Sequence, residues 1–577
     1  MDYDKMSQQL KLSEAVCRIM VNRGITSRED IDSYIHAGRE KLHDPRLMRD
    51  MQKVINILRQ KIKEEKRIRI VSDYDVDGII SCYILYTALK RCNGKVDYYI
   101  PHRVTEGYGI NEHIVREAKR EGIDTIITCD NGIAAISQVQ LAKQLEMTVI
   151  ITDHHEVPYR MNESGEKIYE IPIADAILNP KQKQCTYPFK ALCGAGVVFK
   201  LVQGLYHQCA IPFQEVFDYL QFVAIATVCD IVDLIGENRI IVKHGLDQMN
   251  HTTNIGLKAL LKVNNLHNKK INGYTLGFII GPCLNAAGRL GHAHRALELL
   301  LEEEPITACK VAEEILNLNQ ERKDLTEKGL QDVLNILEDE NAIEDKVKVI
   351  FNHELHESVI GIIAGRVKDL YHLPVIILTS SEDCVKGSGR SIENYHLYDE
   401  LSYCKDILVK FGGHAMAAGL SIKQTDISLL RERLNSRFSI DDEDLKPRLY
   451  IDVLLPIEKV TKKLIDELEI LEPFGKGNTK PIFGDKAIRI FHARTVGKNN
   501  NILKLQLMGS NGEIKEGIIF NQNESIKNDL VKKWGEEEVN KLFIGQSNRI
   551  TVDVAYYPKV NTYMGNETLQ IHILQLK

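Results

Sequence analysis

The stretch Arg67-Ile-Arg-Ile-Val-Ser-Asp-Tyr-Asp-Val-Asp-Gly78 joins an apolar run to three closely spaced carboxylates and a glycine. We interpret the apolar run as a buried strand. Asp75 and Asp77 are alternate residues, and on an extended chain their side chains would point the same way. Gly78 would then let the backbone turn into the next helix. The stretch therefore predicts a strand followed by a helix, with acidic side chains where the strand ends.

Three further apolar runs end in aspartate or histidine: Thr125–Asp130, Thr148–His155 and Ala224–Asp230. We interpret each run as another buried strand. In an open parallel sheet, functional groups gather beyond the carboxyl ends of the strands. An aspartate taken alone in such a place has an alternative interpretation as the cap of the following helix. Capping does not explain two adjacent histidines, so the set as a whole predicts a shared site.

Four apolar runs that each end in oxygen or imidazole ligands, and whose ends converge, predict a two-metal centre. Carboxylate-rich ligation with one imidazole suits Mn²⁺ or Mg²⁺ better than zinc or copper. Two such ions lower the pKa of a water molecule and neutralise a phosphoryl group during in-line attack. The acidic run also resembles the start of a calcium-binding EF-hand loop, but Ile84 stands where the closing glutamate would be. The pattern therefore favours phosphoryl chemistry.

The order of predicted elements indicates several domains. From Lys66 to about residue 245, strands alternate with helical stretches such as Ile80–Lys90 and Asn111–Arg120, which is typical of a doubly wound parallel sheet. Short strands after the acidic linker at 439–447 predict a small barrel of the OB type. We expect the first 45 residues to form helices that pack on the main domain. The predicted division is an N-terminal helical extension (1–45), a catalytic domain (46–295), a connecting helix (296–340), a smaller α/β domain (341–438) and the OB-type domain (447–577).

Composition restricts the class of protein. The 577 residues, 44% hydrophobic and 27% charged, are typical of a soluble protein with three or four domains. No apolar run is long enough to span a bilayer, and the N-terminus lacks the pattern of a signal peptide, so we expect no membrane partner. The net charge of −6 gives no global basic field, which counts only weakly against a nucleic-acid partner.

The 12 cysteines are scattered and form no C-x-x-C pair. This argues against a structural zinc site and is compatible with reduced thiols in the cytoplasm. Cys129 and Cys229 each precede a candidate ligand, and we interpret both as small buried strand residues.

The motifs as a set resemble a known family. The chain resembles the DHH phosphoesterases, named after the motif found here as Asp153-His154-His155, and within them most closely the RecJ family of bacterial single-strand-specific DNA exonucleases. The resemblance implies an α/β, two-lobed fold: a doubly wound parallel sheet domain and a smaller DHH-associated domain joined by a long helix, with a C-terminal OB-fold barrel. It extends over nearly the whole chain and includes Ile100–Arg103, Glu106–Gly109, Cys129–Gly132, Gly194–Gly196, Thr227–Asp230, Asn285–Gly291, Gly387–Ser391, Gly412–Gly419 and Leu471–Asn478.

The resemblance also implies roles for individual residues. His155 would be either a catalytic group beside the metals or a group that supports their ligands, and Asp73, without a clear ligand role, would orient its neighbours. Asp130 would bridge two ions of Mn²⁺ or Mg²⁺ and take part in catalysis. The implied metal ligands are Asp75, Asp77, Asp130, His154 and Asp230.

Residues in and near the second lobe would bind substrate. Gly412 and Gly413, followed by His414, would expose backbone N–H groups to a phosphate, although a glycine pair also suits a tight turn. Arg390 offers a planar fork for phosphate, and Arg289 resembles the phosphate-contacting arginine of the family. The remaining candidates are Ser388, His356, Arg366 and Arg103, and for both arginines an ordinary surface ion pair is the alternative.

The chain departs from the family around His356. Leu355 and Ser358 replace the tryptophan and glycine that the family more often has. This puts stacking or loop shape in doubt there, but not the metal chemistry.

The OB-type barrel is expected to bind single strands through aromatic stacking and a basic groove. Its candidate residues are Phe520, Tyr556, Tyr557, Tyr563 and Lys559, although an aromatic residue in a small barrel also serves as core. We interpret the sole tryptophan, Trp534, as an anchor that packs a helix.

By resemblance, we expect a metal-dependent exonuclease that degrades single-stranded DNA from 5′ to 3′, releases mononucleotides and acts in DNA repair and recombination. Single-stranded DNA is the expected partner. A helicase and a single-strand-binding protein are candidate partners that the sequence does not identify, and a cytoplasmic monomer is the default. Two alternatives stay open: a DHH enzyme that cleaves short oligoribonucleotides or small phosphorylated nucleotides, and an inactive scaffold that only binds single strands.

Overall fold

The computed structural model describes residues 3–162, 166–339, 345–381, 384–497, 501–520, 523–563 and 566–577. Two compact units divide the chain. The barrel unit consists of residues 1–42, 233–243 and 449–577, and the two-sheet unit consists of residues 43–232 and 244–448. In the described ranges, no helix is both long enough and apolar enough to cross a membrane.

The helices in chain order are α1 (Tyr3–Leu10), α2 (Glu14–Asn22), α3 (Arg28–His36), α4 (Met51–Lys63), α5 (Val76–Arg91), α6 (Glu112–Arg120), α7 (Ile136–Gln144), α8 (Gly194–Gln208), α9 (Leu220–Cys229), α10 (Gly236–Met249), α11 (Ile255–Val263), α12 (Gly273–Thr275), α13 (Gly281–Leu290), α14 (His294–Leu301), α15 (Pro305–Asp339), α16 (Ile360–Tyr371), α17 (Leu397–Ser402), α18 (Ile427–Ser436), α19 (Lys462–Glu469), α20 (Asn523–Trp534) and α21 (Glu536–Phe543). A π-helical turn, Leu276–Ile280, joins α12 to α13.

The strands are β1 (Arg67–Ser72), β2 (Lys95–Tyr99), β3 (Thr125–Cys129), β4 (Thr148–Thr152), β5 (Tyr159–Met161), β6 (Lys167–Tyr169), β7 (Ala176–Leu178), β8 (Lys348–Phe351), β9 (Val375–Ser380), β10 (Val385–Arg390), β11 (Leu408–His414), β12 (Ala417–Ile422), β13 (Val453–Leu454), β14 (Phe483–Val496), β15 (Ile502–Met508), β16 (Ile514–Phe520), β17 (Thr551–Tyr563) and β18 (Asn566–Leu576).

The first sheet is parallel throughout, with strand order β2-β1-β3-β4-β7. The chain moves outward from β1 to β2 and then returns to place β3 on the other side of β1. A crevice for ligands forms at such a reversal, beyond the carboxyl ends of the strands. The predicted doubly wound sheet is confirmed, and its switch point lies between β1 and β3.

One of the four predicted strands was wrong. The run Ala224–Asp230 belongs to helix α9, with Asp230 as its C-terminal cap, and Cys229 is therefore a helical residue. The run is buried on every side from Leu220 to Thr227. A helix buried all round and a buried strand look alike over a short apolar run, so periodicity could not separate them.

The acidic stretch after β1 was also interpreted wrongly in its local geometry. The strand ends at Ser72, and Asp75 is the N-cap of α5, where its side chain accepts a hydrogen bond from the Gly78 N–H at 3.1 Å. Asp77 lies in the first turn of that helix. Gly78 is required by close approach, because a Cβ there would lie 2.4 Å from the Asp73 carbonyl oxygen.

The second sheet of the two-sheet unit has the order β11-β12-β10-β9-β8. Strands β8 and β9 are parallel, and the remaining pairs are antiparallel. The 35-residue helix α15 precedes this sheet within the predicted connecting segment, but the single helix expected from residue 296 is interrupted at 302–304, between α14 and α15. The exact domain boundaries stay predictions, and the one at 340/341 lies outside the described residues.

The barrel of the barrel unit is closed. Its order is β14-β15-β16-β18-β17, and β17 pairs again with β14. The helices α20 and α21 connect β16 to β17. Five strands closed in this order form an OB-type barrel, which confirms the prediction for the C-terminal residues.

The N-terminal helices pack on the barrel, which the sequence analysis did not expect, and α3 also accepts hydrogen bonds from Arg239 and Lys243, which lie within the predicted catalytic domain. Val16, Ile19 and Met20 of α2 are fully buried in one core with residues of the barrel, including Phe483 and Tyr556. The Ser13 N–H also donates to a Glu467 carboxylate oxygen at 2.7 Å. The segment is amphipathic, and its sequence alone does not indicate which distant surface covers the apolar side.

This packing predicts that Ile19→Ala destabilises the barrel by about 2–5 kcal/mol, because a cavity forms in its core. Hydrogen exchange should accelerate in β14 and β17 and stay unchanged in β1 and β3. Arg18→Ala on the same helix is the control, since its ion pair with Glu14 is half-exposed and contributes less than about 1 kcal/mol. An equal acceleration of hydrogen exchange in β1 would contradict the assignment of α2 to the barrel core.

Candidate metal centre

Four acidic or imidazole groups meet at the switch point of the first sheet. His154 follows β4, and its Nε2 lies 3.1 Å from Asp130 Oδ1, 3.7 Å from Asp77 Oδ2 and 3.7 Å from Asp230 Oδ2. Asp130 follows β3 with φ of 61°, a left-handed conformation that aspartate adopts more readily than most residues. Asp230 arrives from the end of α9. The structure therefore brings all four together.

The candidate ligand atoms form three overlapping groups, and within each group the ligand atoms lie within 4.8 Å of one another. Asp130 belongs to two of the groups and His154 to two. The groups are Asp77, His154 and Asp230; Asp130, His154 and His155; and Asp73, Asp75 and Asp130. Asp75 thus joins the other four predicted ligands, and Asp73, which had no clear ligand role in the sequence, lies beside it.

The Gly194–Gly196 motif supports the cluster through the start of α8. The backbone N–H groups of Gly194 and Ala195 donate to the two carboxylate oxygens of Asp77 at 2.6 and 2.8 Å. An added Cβ at Gly194 would lie 2.7 Å from both Cβ and Oδ1 of Asp130. The helix can therefore approach this closely only with glycine at 194.

The protonation equilibria of the cluster favour a bound cation. Burial lowers the pKa of His154 to about 4, so its ring is neutral and Nε2 can carry a lone pair. Burial, together with the charges of Asp77 and Asp75, raises the pKa of Asp230 to about 8 and raises that of Asp130 well above its usual range. A divalent ion would relieve this repulsion and hold the carboxylates ionised.

Several buried polar atoms of the cluster lack a hydrogen-bond partner within the described residues. They are Asp73 Oδ1, Asp130 Oδ1, His154 Nε2 and Asp230 Oδ2. Buried polar atoms are normally satisfied, and atoms left free together mark an ion site. Oxygen donors with one neutral imidazole suit Mn²⁺ or Mg²⁺, so the residues fit such ions.

Asp153 fixes the geometry of the DHH motif. It accepts hydrogen bonds from the Ile133 N–H at 2.9 Å and the His154 N–H at 2.7 Å. His155 Nδ1 lies 2.7 Å from the same carboxylate. Burial lowers the pKa of His155, but the hydrogen bond and charge of Asp153 outweigh burial and raise that pKa to about 9. Asp153 therefore positions the His155 ring and favours its protonated form.

Tyr108 is a functional candidate that the sequence analysis missed. Its hydroxyl donates to the Asp130 carbonyl oxygen at 2.9 Å and lies 3.4 Å from the His155 ring. Its ring packs edge-on against Tyr74. The motif Glu106–Gly109 contains Tyr108, but nothing in its spacing indicates a contact with residues 130 and 155.

Three of the predicted substrate-binding arginines lie near one another beside the cluster. Burial and the charges of Arg103, Arg322 and Arg390 lower the pKa of Arg289 to about 9. Arg103 lies over the Tyr74 ring at 4.7 Å. Among the described residues, Arg103, Arg289 and Arg390 form no ion pair with a carboxylate. They form an arginine cluster whose mutual repulsion an anion would relieve.

The loop that departs from the family pattern holds one of these arginines. Arg289 Nη1 donates to the Ser358 carbonyl oxygen at 2.9 Å, and His356 Nδ1 lies 2.7 Å from Ser358 Oγ. Leu355 is a buried core residue, and its side chain packs directly against Gly329. Leu355 therefore packs the core instead of offering a ring for stacking.

The other predicted substrate residues lie on the second sheet and on α16. Arg390 Nη1 donates to Ser388 Oγ at 3.1 Å. Arg390 and His414 pair with the same residue, Ala417 of β12, from its two sides. Gly413 has φ of 147°, and a Cβ there would lie 2.3 Å from the Ala417 carbonyl oxygen. Arg366 is exposed and donates to Glu327 at 3.0 Å, as in an ordinary surface ion pair.

The barrel surface has a strip of basic and aromatic side chains. Phe520 is half-exposed, and its ring centroid lies 5.6 Å from that of His572. His572 of β18 is the cross-strand partner of Tyr557 on β17. Lys559 lies on the same face, two residues from Tyr557. We call Phe520, Tyr557, Lys559 and His572 the barrel strip.

The remaining aromatic candidates of the barrel differ in position. Tyr556 is fully buried, and its hydroxyl donates to the Leu455 carbonyl oxygen at 2.7 Å, so it belongs to the core. Trp534 packs against that core, as predicted. The side chain of Tyr563 lies outside the described residues.

Family models match the chain in the order of its domains. The N-terminal domain of the DHH family matches residues 67–227, the DHHA1 domain matches 344–439, and the RecJ OB domain matches 451–575. The fold and the acidic cluster define a two-lobed DHH-family protein with an OB barrel.

Curated relatives identify the family within that class. The single-stranded-DNA-specific exonuclease RecJ of Bacillus subtilis (strain 168) is 35% identical over 94% of this chain and 69% of that protein. The chain belongs to the RecJ family. The RecJ proteins of Dickeya dadantii (strain 3937) and Escherichia coli (strain K12) are each 31% identical, and the matches cover 95% and 94% of those proteins and 97% and 96% of this chain.

Solved structures show the same fold. The Mn²⁺ complex of RecJ from Thermus thermophilus matches with a TM-score of 0.81 and 24% identity, covering 100% of this chain and 77% of that one. A manganese-bound exonuclease RecJ matches with a TM-score of 0.59 and 29% identity, covering 68% of this chain and 96% of that one.

The close approach at Gly194 predicts that Gly194→Ala weakens Mn²⁺ binding by at least about 10-fold, because Asp130 must shift. Calorimetric titration of the full chain with Mn²⁺ measures this. Gly365→Ala is the matched control: it lies in α16, no atom lies within 4 Å of its added Cβ, and it should leave the affinity unchanged. Wild-type affinity in Gly194→Ala would contradict the assigned cage.

Proposed function

We propose that this chain is a metal-dependent exonuclease that hydrolyses the phosphodiester bonds of single-stranded DNA from 5′ to 3′ and releases nucleotides. The observation that carries the proposal is the convergence of buried, unsatisfied ligand atoms around Asp130 and His154. The names of the curated relatives support the substrate and strand preference. The direction rests on the family resemblance.

We assign two ions, Mn²⁺ or Mg²⁺, to the overlapping groups. Asp130 would bridge them because it belongs both to the group with Asp73 and Asp75 and to a group with His154. Such ions lower the pKa of a water molecule and neutralise charge on a phosphoryl group. The proposed ligands are Asp75, Asp77, Asp130, His154 and Asp230.

The surrounding residues have separate roles in this proposal. His155 can donate a hydrogen bond to a phosphoryl oxygen, while Asp153 holds its ring in place. Asp153 is not a ligand, because both of its oxygens already accept backbone hydrogen bonds. The Tyr108 hydroxyl fixes the backbone of Asp130 by donating a hydrogen bond to the Asp130 carbonyl oxygen.

The arginine cluster would bind a phosphate of the strand. Arg103, Arg289 and Arg390 supply planar donors without competing carboxylates. Ser388 positions Arg390. The further proposed contacts are Gly413 and His414 on β11, His356 after β8, and Arg366 on α16, which would have to leave Glu327.

The barrel favours a polymeric substrate over the alternative of a short oligoribonucleotide or a small phosphorylated nucleotide. The barrel strip combines aromatic rings with basic groups, which is how OB barrels bind single strands without sequence preference. A helicase and a single-strand-binding protein as partners, the monomeric state and a cytoplasmic location stay predictions.

Removal of the bridging carboxylate should abolish the reaction. Asp130→Asn is expected to lower the rate of single-strand digestion by at least about 100-fold, because the ions lose their shared ligand. The assay uses single-stranded DNA and RNA labelled at either end, with Mn²⁺ or Mg²⁺, and sizes the products. Chelation should stop the wild type, and Mn²⁺ should restore it.

The control for Asp130→Asn is Asp324→Asn on α15, an exposed carboxylate that accepts a hydrogen bond from Gln320. It should digest at the wild-type rate. Undiminished activity of Asp130→Asn would refute the metal assignment, and label release from the 3′ end first would refute the direction.

Loss of an arginine should weaken substrate binding. Arg390→Met is expected to raise KM for single-stranded DNA by about 10-fold or more, since a charge-assisted hydrogen bond contributes about 1.5–3 kcal/mol. Steady-state kinetics on labelled strands measure the change. Arg433→Met, which removes a partly exposed arginine paired with Asp406, should leave KM unchanged. An equal KM for both variants would exclude Arg390 from the phosphate site.

A further inference from the structure

Two large aromatic rings project into solvent from the two-sheet unit. Tyr274 is 65% exposed and Phe278 is 68% exposed. Their rings stack on each other with centroids 4.7 Å apart and an interplanar angle of 19°. Large aromatic side chains normally bury most of their surface. A parallel pair left in solvent presents a flat apolar face of the size of a nucleobase.

The backbone holds the pair in a fixed orientation. The residues are four apart on one continuous helical segment, formed by α12, the π-helical turn and α13, so their side chains share a face. On the opposite face, Leu276 and Ile280 are fully buried. Asn272 caps the start of the segment through the Thr275 N–H. The rings are therefore mounted on a rigid support.

The same segment borders the metal centre. The Cys229 thiol donates to the Leu276 carbonyl oxygen at 3.6 Å, and an added Cβ at Gly281 would lie 2.2 Å from that sulfur. Cys229 directly precedes Asp230. The turn that carries the rings therefore packs on the helix end that delivers a proposed metal ligand.

The other end of the segment reaches the arginine cluster. Asn285 Oδ1 accepts a hydrogen bond from the N–H of Val76, the residue between Asp75 and Asp77. Arg289, four residues further along the same helix, belongs to the arginine cluster. Phe278 and Arg289 are about 16 Å apart along a helix, at 1.5 Å per residue. The segment thus presents, in order, the aromatic pair, the flank of the metal centre and a phosphate-binding arginine.

We propose that Tyr274 and Phe278 form a stacking platform for bases of the single strand on the side of the metal centre away from the arginine cluster. The inference rests on the proposed function. The arginines would hold one phosphate of the strand, and bases beyond the scissile bond would stack on the rings. Every base has a π face, so the platform needs no particular sequence. Bases in a duplex are already stacked on both faces, so the platform selects single strands.

The test compares the Tyr274→Ala/Phe278→Ala double variant with the wild type on a long single strand and on a dinucleotide. The double variant is expected to raise KM for the long strand by about 10-fold or more, with kcat retained, because stacking of at least one base is lost. The dinucleotide has only one base beyond its scissile bond, so its kcat/KM should fall less than that of the long strand. Tyr274→Phe, which keeps the ring, should behave as the wild type.

Phe213→Ala is the matched control. Phe213 is also a half-exposed aromatic residue, and it comes before the start of α9 in the chain. The 10 residues of α9 span about 15 Å and separate that start from Asp230 at the other end. It should not change KM for either substrate. An unchanged KM of the double variant for the long strand would overturn the platform, and so would an equal loss on both substrates.

A binding assay separates the platform from the proposed activity. Single strands with 2-aminopurine at successive positions, bound to the full chain in the presence of a chelator, should show quenched fluorescence at one or two positions. That quenching should disappear in the double variant. If the wild type quenched but did not digest DNA, the proposed function would fail and the platform would stand. Equal quenching by wild type and double variant would refute the platform.

Discussion

The repulsion among buried carboxylates is the constraint on which the structure of the two-sheet unit depends. Asp73, Asp77 and Asp130 are each almost fully buried, and burial raises the pKa of each. Such a group of charges is costly without compensation. The fold holds it in place with backbone N–H groups from α8, with the Asp153 anchor of the DHH motif and with a left-handed residue after β3. The geometry is preformed for divalent cations.

The same cluster explains how the second sheet contributes. A catalytic cage alone would bind any phosphate, but the arginine cluster draws on both sheets, through Arg103 and Arg289 on one side and Arg390 on the other. The Ser358 carbonyl oxygen fixes Arg289 from the second lobe. The proposed anion site therefore draws on the whole two-sheet unit, whereas the proposed metal site lies at the carboxyl edge of the first sheet.

Much of this could be predicted from the sequence, because a buried strand followed by aspartate is a strong local pattern. The runs at β1, β3 and β4 predicted the strands of the sheet, and the motif at 153–155 indicated the candidate imidazole ligand. The run at 224–230 misled because apolar character on every side conceals helical periodicity. Tyr108 and the mutual approach of the arginines depend on tertiary contacts that no local pattern records. The partner of the N-terminal helices was hidden for the same reason.

The barrel unit is assembled from three pieces that lie far apart in the chain, at 1–42, 233–243 and 449–577. During translation, the apolar face of α2 emerges long before its partner strands. Until those strands emerge, residues such as Val16 and Met20 have no native cover, which makes the nascent chain a candidate client for a chaperone. A stop codon anywhere in the last barrel strands would therefore leave hydrophobic surface exposed on α2, several hundred residues away in the chain.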